Sequence, residues 1–365
     1  MNLFQGRDYE QLVFCKDKKT GLRAIICIHD TTLGPALGGT RMFPYKKESG
    51  AIIDVLRLAR GMTYKASVAG LNLGGGKAVV IGDPTKDKSE ALFKAFGKYV
   101  NRLSGKYITA EDVGTKTADM EIVSKMTKWV VGLERKSGDP SPFTALGVFW
   151  AMKAMLEEVF GTDSFKGRIV AIQGIAGGVG YHLAKLLAEA DAILIGTGGR
   201  DKEAALRVGK ELGAKILDSG VKPDGTYDQN LDPIYDIECD VFSPNAMGGI
   251  INDDTLPRLR CKIINGGGNN QLWKPSHGKI LHQKGILYAP DYLINAGGLI
   301  NVSHEIRKFY PNGYNKEEAT AHVKQIYNRM KLVIEISKRE GIPTYLAADR
   351  LAEERIKAAK EAKTQ

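Results

Sequence analysis

The 365-residue chain has only four cysteines and no long uninterrupted run of apolar residues. The cysteines are scattered, without the paired spacing of a metal or redox site, so we expect free thiols, no metal centre and a reducing cytoplasm. No apolar run approaches the roughly eighteen residues of a membrane span, and the first residues lack the basic-then-apolar order of a signal peptide. These absences exclude a disulfide-stabilised secreted domain and predict no membrane association. The four positions are Cys15, Cys27, Cys239 and Cys261.

Acidic residues are fewer than basic ones, and the formal net charge is +10 at pH 7. A basic surface attracts nucleic-acid phosphates, but it also suits a small anionic substrate or cofactor. The lysines and arginines are interleaved with acids along the chain, and the densest basic stretch, RIKAAKEAKTQ, is typical of a solvated helix end. We therefore expect no nucleic-acid partner.

The stretch GLNLGGGKAVV (70–80) places three glycines before Lys77 but lacks two anchors of a P-loop. That motif needs glycine at position 71 and Ser or Thr at position 78, where this chain has Leu71 and Ala78. The pattern predicts a backbone that lets another molecule approach Lys77 closely, followed by a buried strand from Ala78 to Ile81. Apolar surroundings disfavour the ammonium form, so the pKa of Lys77 should fall toward the range of a general base. The alternative is a solvated lysine at the end of a turn.

The second half of the chain alternates strands and helices, which indicates a mostly parallel sheet. Strand, glycine turn, helix and strand follow one another within roughly thirty residues, as in a dinucleotide-binding unit whose turn and helix N-terminus hold a pyrophosphate. Gly174, Gly177 and Gly180 of the turn are each three residues apart. The first two glycines of the common fingerprint are only two residues apart, so this turn is one residue longer. We predict an α/β protein of two domains, the second of Rossmann type. The segments are RIVAIQ (168–173), GIAGGVG (174–180), YHLAKLLAEA (181–190) and AILIG (192–196).

The second strand of this unit ends without the acid that normally binds the ribose hydroxyls. Its tip is IGTGGRD, with Gly198 and Arg200, whereas Asp191 precedes the strand and Asp201 follows the tip. A missing acid with an arginine nearby is the arrangement that tolerates a 2′-phosphate. The tip therefore predicts that NADP is a possible cofactor. The alternatives are that Asp201 turns back to replace the acid or that the loop is only solvated.

Two further ionisable residues lie beside apolar or glycine-rich segments in the first half of the chain. Lys65 belongs to GMTYKA (61–66), and Asp112 belongs to YITAEDVGT (107–115). Singly, each is as readily explained as a surface charge. Together with Lys77 and a dinucleotide fold, they predict an active site in the cleft between two domains.

Several long motifs make the chain similar to the Glu/Leu/Phe/Val dehydrogenase family, and most to its leucine-specific branch. The resemblance covers nearly the whole length, and it implies oxidative deamination of an L-amino acid to the 2-oxo acid and ammonia, with hydride transfer to a nicotinamide. The motifs are LGPALGGTRM, RGMTYKA, GLNLGGGKAVVIGDP, YITAEDVGT, SPFTALGVFWAMKA, APDYLINAGGLINV and IPTYLAADRLAEERI.

The resemblance also implies a role for each site residue. Lys65 should hold the substrate carboxylate, Lys77 should be the base that takes a proton from the attacking water, and Asp112 should relay protons to and from the amine. The remaining substrate-binding positions are Met62, Leu37, Gly38, Gly39, Ala110, Leu299 and Val302. The cofactor-binding positions are Gly174, Gly177, Gly178, Val179, Gly180, Thr144, Gly198, Arg200, Asn245, Asn269 and Asn295.

The family pattern further implies a substrate-binding, catalytic and oligomerisation domain over 1–137, to which 330–365 return, and a Rossmann domain over 138–329. The linker should lie near KSGDPSP (136–142). The implied cofactor is NAD, which the missing acid puts in doubt, and the implied assembly is a homo-oligomer.

Two alternatives stay open at the level of sequence. The side-chain pocket is apolar enough for phenylalanine, tryptophan or valine as well as leucine, and one methylene changes the discrimination by only about 1–3 kcal/mol. The altered cofactor loop also permits a non-catalytic dinucleotide sensor, although the joint presence of Lys65, Lys77 and Asp112 speaks against it.

Overall fold

The structure, a computed structural model, describes residues 8–222 and 224–364. Contacts divide the chain into two compact units. The first contains the residues up to Asp139, the segment Asn301–Lys316 and the residues from Leu351 onward, and the second contains Pro140–Ile300 and Glu317–Arg350. Two segments thus return to the first unit, in place of the predicted 330–365. Residues 301–316 leave the predicted second domain, and residues 330–350 pack within it.

The first unit is built on a five-stranded mixed sheet with the strand order β1-β2-β4-β3-β5. Neighbours β1 and β2, and β2 and β4, are antiparallel, whereas β3 is parallel to both β4 and β5. Three helices connect or follow the strands. In chain order the elements are β1 (Gln11–Asp17), β2 (Leu22–Asp30), β3 (Ala36–Phe43), α1 (Glu48–Val68), β4 (Gly74–Ile81), α2 (Glu90–Arg102), β5 (Tyr107–Glu111) and α3 (Thr117–Ser124).

Helices cover both faces of this sheet, and the alternation of side chains along the strands decides which residue meets which helix. In β4, Ala78 and Val80 join the core that contains α2, whereas Val79 joins the core that contains α1. Lys77 lies two residues before Val79, so it faces the α1 side of the sheet. The period of the strand therefore places Lys77 on the face that carries Lys65, a residue of α1.

The second unit is built on a six-stranded parallel sheet with the order β11-β10-β9-β6-β7-β8. The glycine turn predicted at 174–180 connects β6 to the helix that follows it, and the predicted α/β class with a Rossmann-type unit is confirmed. The elements are α4 (Ser141–Phe160), β6 (Ile169–Gln173), α5 (Gly178–Glu189), β7 (Ile193–Thr197), α6 (Lys202–Leu212), β8 (Lys215–Ile216), β9 (Val241–Pro244), β10 (Ile263–Ile264), α7 (Pro275–Gln283), β11 (Leu287–Tyr288), α8 (Asp291–Ile294), α9 (Gly297–Ser303), α10 (Lys316–Lys324) and α11 (Ile326–Glu340).

The last helix, α12 (Thr344–Thr364), begins in the second unit and ends in the first. Within the first unit, Arg355 donates to the carbonyls of Leu71 and Gly70 and to the side chain of Asn72, which precede β4. All four cysteines are free thiols. None of the described helices is long and apolar enough to cross a membrane.

Candidate functional site

Lys77 lies inside β4 and is 5% exposed. The three glycines before it also belong to the strand and are buried, so the alternative of a glycine turn with a solvated lysine is wrong. Consecutive glycines are typical of turns, but here each one is required by a close neighbour within the protein rather than by an approaching molecule.

The contacts of these glycines explain the sequence. A Cβ added at Gly75 would lie 2.0 Å from the amide nitrogen of Thr63 in α1, and one at Gly76 would lie 2.8 Å from the ring of Tyr107. One at Gly38 would lie 1.7 Å from the carbonyl oxygen of Gly76. Real Cβ atoms do not approach so closely, so side chains at these positions would force α1 and the strands apart. The glycines bring the helix and the strands together around Lys77.

An alternating chain of charges begins at Lys77. Its Nζ lies 3.1 Å from Oδ1 of Asp112, which directly follows β5, and Oδ2 of Asp112 accepts from Nε of Arg41 at 3.0 Å. The guanidinium of Arg41 also donates to Oδ2 of Asp54 at 3.0 Å, and the hydroxyl of Tyr45 donates to the same oxygen at 2.6 Å. Gly39 makes room for this network, because a Cβ there would lie 2.9 Å from the Cβ of Asp112.

Burial and the neighbouring opposite charge shift the pKa values of Lys77 and Asp112 in opposite directions. Burial lowers the pKa of Lys77 below its ordinary value, and the anionic Asp112 only partly offsets this effect. Burial alone would raise the pKa of Asp112, but the charges of Lys77 and Arg41 and the hydrogen bonds from both hold that pKa below its ordinary value. The arrangement favours a carboxylate beside a lysine that loses its proton more easily than a solvated lysine does.

Sequence reasoning missed Arg41, Asp54 and Tyr45. Arg41 lies in the quoted motif LGPALGGTRM, and its position in β3, one strand from Asp112, was the available signal. Asp54 belongs to α1 and Tyr45 to the connection before that helix, with no motif around either. Asp54 and Tyr45 join the charge network of Arg41 only because α1 packs against the sheet.

The predicted substrate-binding residues of the first unit lie on α1 and on the strands beside β4. Lys65 and Met62 are half-buried on α1. Leu37, 1% exposed, pairs in register with Gly75 of β4, and Gly39 pairs with Ala110 of β5. The register thus brings most of this predicted set to one end of β3, β4 and β5.

The other two predicted substrate-binding residues, Leu299 and Val302, lie on α9, which runs from the second unit into the first. They are 9% and 8% exposed. Within the first unit, a Cβ added at Gly132 would lie 3.9 Å from Cγ1 of Val302.

The glycine turn after β6 has the geometry of an anion-binding turn. Gly174 has φ = +74°, in the left-handed region that favours glycine. A Cβ added at Gly180 would lie 2.1 Å from the carbonyl oxygen of Gly174, so the turn closes directly on the first turn of α5. Gly177 and Gly178 are exposed, and no side chain caps the helix. The first amides of α5 are therefore available to a ligand.

The predicted asparagines and Val179 lie together beside this turn. The side chain of Asn245 accepts from the amide of Gly267 at 2.8 Å, and Asn295 donates to the carbonyl of Gly267 and to the side chain of Asn269. A Cβ added at Gly267 would lie 2.6 Å from Cγ1 of Val179. Residues that follow β6, β9 and β10 thus meet at the carboxyl edge of the parallel sheet, the usual place for a dinucleotide.

The predicted Thr144 lies in the first turns of α4, and its hydroxyl donates to the carbonyl of Pro140 at 3.0 Å. A Cβ added at Gly298 would lie 2.9 Å from that hydroxyl oxygen. Another residue of this turn, Ser141, lies beside the glycine turn, since a Cβ added at Gly178 would lie 2.8 Å from its Oγ. The start of α4 therefore adjoins the start of α5.

The tip of β7 has no carboxylate in the place of the usual acid. Asp201 caps α6, accepting from the amide of Ala204 at 2.9 Å, so it is already engaged rather than turned back toward the tip. A Cβ added at Gly198 would lie 2.5 Å from both the carbonyl oxygen of Asp201 and the Cβ of Ala205. Arg200 is exposed at the same tip.

Comparison with known proteins covers both units. A sequence model described as "Glu/Leu/Phe/Val dehydrogenase, dimerisation domain" matches residues 9–129, and one described as "Glutamate/Leucine/Phenylalanine/Valine dehydrogenase" matches residues 138–364. The chain is similar to the crystal structure of L-tryptophan dehydrogenase from Nostoc punctiforme, with a TM-score of 0.82, 42% identity and 97% of each chain covered.

Two relatives bear the names of dehydrogenases for different amino acids. Leucine dehydrogenase from Geobacillus stearothermophilus is 54% identical over 360 residues, which are 98% of this chain and 93% of the relative. Phenylalanine dehydrogenase from Lysinibacillus sphaericus is 46% identical over 354 residues, which are 96% and 89% of the two chains. The family predicted from the motifs is confirmed. The chain belongs to the Glu/Leu/Phe/Val dehydrogenase family.

Proposed function

We propose that the protein converts a branched-chain L-amino acid of the leucine type to its 2-oxo acid and ammonia, with reversible hydride transfer to a nicotinamide cofactor. The observation that carries the proposal is the buried Lys77, paired with Asp112 at the end of a strand lined by predicted substrate-binding residues. The higher identity to leucine dehydrogenase than to phenylalanine dehydrogenase supports the choice of substrate.

Lys77 is the base in this proposal. Once the substrate has lost its hydride and become an iminium ion, water attacks the carbon, and neutral Lys77 accepts a proton from that water. Its lowered pKa keeps part of the population neutral. The resulting ammonium beside the carboxylate of Asp112 is stabilised electrostatically, and Asp112 passes protons to the departing amine. Lys65 pairs with the substrate carboxylate, which suits a cation on the same face of the sheet.

The residues of the second unit fit a dinucleotide. Gly177 and Gly178 are exposed and place no side chain over the first amides of α5, which would hold the pyrophosphate. Asn245, Asn269 and Asn295 offer amide groups at the same edge of the sheet. When bound, the nicotinamide supplies the hydride acceptor, and the protein supplies orientation.

We propose that the site accepts NADP as well as NAD. Gly198 removes the carboxylate that would repel a 2′-phosphate, Asp201 is engaged as a helix cap, and the exposed Arg200 offers a charge-assisted contact. The contact has the strength to change the cofactor preference because a hydrogen bond to a charged group contributes about 1.5–3 kcal/mol.

We further propose that the first unit binds the amino acid and mediates assembly into a homo-oligomer, and that the second binds the dinucleotide. The family model over residues 9–129, described as a dimerisation domain, supports the assembly. Light scattering of the purified protein tests it, and a strictly monomeric mass would contradict it.

A turnover assay tests the function, using L-leucine, L-isoleucine, L-valine, L-phenylalanine and L-tryptophan with NAD and with NADP. We expect the highest kcat/KM for L-leucine or another branched-chain substrate. A preference for an aromatic amino acid would assign the protein to another branch of the family. Dinucleotide binding without turnover of any of the five would favour the sensor alternative.

A further inference from the structure

A buried polar cluster lies beneath the carboxyl ends of β6 and β7. Asp232 is fully buried, and its Oδ2 accepts from the hydroxyls of Thr197 and Tyr227, each at 3.1 Å. Its Oδ1 accepts from the amide of Ile234 at 3.1 Å. Thr197 is the last residue of β7 and directly precedes Gly198, so Asp232 holds the strand end that forms the cofactor tip.

Tyr227 connects this cluster to the glycine tip. A Cβ added at Gly199 would lie 3.9 Å from Cζ of Tyr227, so the ring borders the space where a side chain at position 199 would begin. The backbone of Tyr227 is fixed by an antiparallel bridge to Val221. Burial and the neighbouring Asp232 raise the pKa of Tyr227 above its ordinary value, so the hydroxyl stays protonated and donates to Asp232.

A second observation points to the same edge of the sheet. Gln173, the last residue of β6, is 1% exposed and donates to the hydroxyl of Tyr235 at 2.9 Å. Its Oε1 has no hydrogen-bond partner within residues 8–222 and 224–364. Buried polar atoms are normally hydrogen-bonded, so this acceptor at the end of β6 calls for a partner.

We propose that Tyr227 is a binding residue for the adenosine half of the dinucleotide and that Asp232 is its positioning residue, together replacing the anchoring that the missing strand-end acid would give. The inference rests on the proposed function. The half-buried ring beside Gly199 offers an aromatic surface to adenosine, and Asp232 fixes both that ring and the end of β7.

This assignment gives Arg200 and Tyr227 different roles in cofactor binding at the tip of β7. Arg200 acts on a 2′-phosphate and therefore distinguishes NADP from NAD. An aromatic contact with adenosine is indifferent to the 2′ substituent, because it depends on the base and sugar surface. Tyr227 therefore contributes to binding of both cofactors in equal measure.

Calorimetry of the full-length protein with 5′-AMP, 2′,5′-ADP and nicotinamide mononucleotide tests the proposal in the wild type, Tyr227→Ala, Tyr227→Phe and Asp232→Asn. We expect Tyr227→Ala to raise the Kd of both adenosine ligands about tenfold, the lower end of typical base–aromatic stacking. Tyr227→Phe and Asp232→Asn should raise both by smaller, similar factors. The affinity for nicotinamide mononucleotide should stay unchanged, and KM for NAD should rise without a fall in kcat.

Tyr327→Phe is the matched control, because the Tyr327 hydroxyl also donates to a carboxylate, that of Glu157, on helices of the same unit. Unchanged adenosine affinities in Tyr227→Ala would overturn the inference, as would an equal loss for the mononucleotide, which indicates general damage. If Tyr227→Ala does not fold, wild-type affinities in the two milder variants overturn it. If the wild type binds neither adenosine ligand nor NADH, the dinucleotide site itself is wrong, which is a failure of the proposed function.

Discussion

Glycine clusters occur in both units, and they serve opposite purposes. Gly74–Gly76 of β4 are buried, and the position of each missing Cβ is already occupied by Asp30, Thr63 or Tyr107. Gly177 and Gly178 at the start of α5 are exposed, and a Cβ added there would meet only the carbonyl oxygen of Gly174 or the side chain of Ser141. In β4 the absent side chains let the protein close on itself around a lysine. In the second unit they leave room for a ligand.

The comparison shows that glycines can have two different effects: they can bury a charged group away from water, or they can leave backbone amides accessible to a ligand. Lys77 has a lowered pKa because the glycines draw α1 and the strands together. The first amides of α5 are available because no side chain covers them. We expect substitutions in β4 to affect the chemistry and the stability of the protein. Substitutions at the carboxyl edge of the sheet in the second unit should affect cofactor binding.

The largest expected effect comes from Lys77→Met, which keeps the side chain's bulk and removes its basic nitrogen. Loss of a general base typically costs 10²–10⁴-fold, so we expect kcat to fall about a thousandfold. The Kd for NADH should stay unchanged, since the change lies in the first unit. Stopped-flow or steady-state assays with L-leucine measure the rate, and fluorescence titration measures the affinity.

Lys88→Met provides the control, because Lys88 also pairs with an aspartate, Asp119, in the first unit. We expect it to retain wild-type turnover. Comparable activity in Lys77→Met and Lys88→Met would show that another group is the base.

The next largest effect tests the packing role of the buried glycines. In Gly75→Ala the new methyl group would meet the backbone of Thr63 at 2.0 Å, and overpacking of this kind costs about 1–3 kcal/mol in the free energy of unfolding. Gly61→Ala is the matched control, since Gly61 lies in α1 with no atom within 4 Å of its added Cβ. There the change should stabilise the helix by about 1 kcal/mol. Equal unfolding midpoints in urea for the two variants would contradict the packing argument.

The sequence predicted the parallel sheet, the turn at 174–180 and the residues Lys77 and Asp112, because strand periodicity and long motifs are local. It did not predict that Gly74–Gly76 lie in a strand, since the reason is the approach of Thr63 and Tyr107 from distant segments. Asp54 was missed for the same cause, because its partner Arg41 comes from β3. Tyr227 meets the β7 tip from almost thirty residues away, which no local pattern reveals.

Substitutions at the tip of β7 should change the preference between NADP and NAD by about tenfold. Gly198→Asp is a poor test because its Cβ would collide with the carbonyl of Asp201. Gly199→Asp is better, since a Cβ there would make only an ordinary 3.9 Å contact with Tyr227 and aspartate tolerates the residue's positive φ of 61°. We expect Gly199→Asp and Arg200→Ala each to lower the ratio of kcat/KM for NADP to that for NAD about tenfold.

Gly199→Asn controls for shape, because asparagine has the size of aspartate without its charge. It should leave the cofactor ratio near the wild-type value. A wild type that strongly prefers NAD, with a ratio unaffected by Arg200→Ala, would mean that the tip does not recognise the 2′-phosphate.

The smallest effect concerns the far end of the charge chain, where Asp54→Asn removes an anion without touching Lys77. Deamination needs neutral Lys77, so kcat/KM should rise with pH as the lysine loses its proton. Burial sets the lowered pKa of Lys77, Asp112 and Asp54 raise it, and Arg41 lowers it. Without Asp54 the remaining charges stabilise the ammonium less, and the rising limb of the pH profile should move to lower pH. Asp83→Asn, in the loop after β4, should not move it. A limb that moves to higher pH, or equally in both variants, would separate the profile from Lys77.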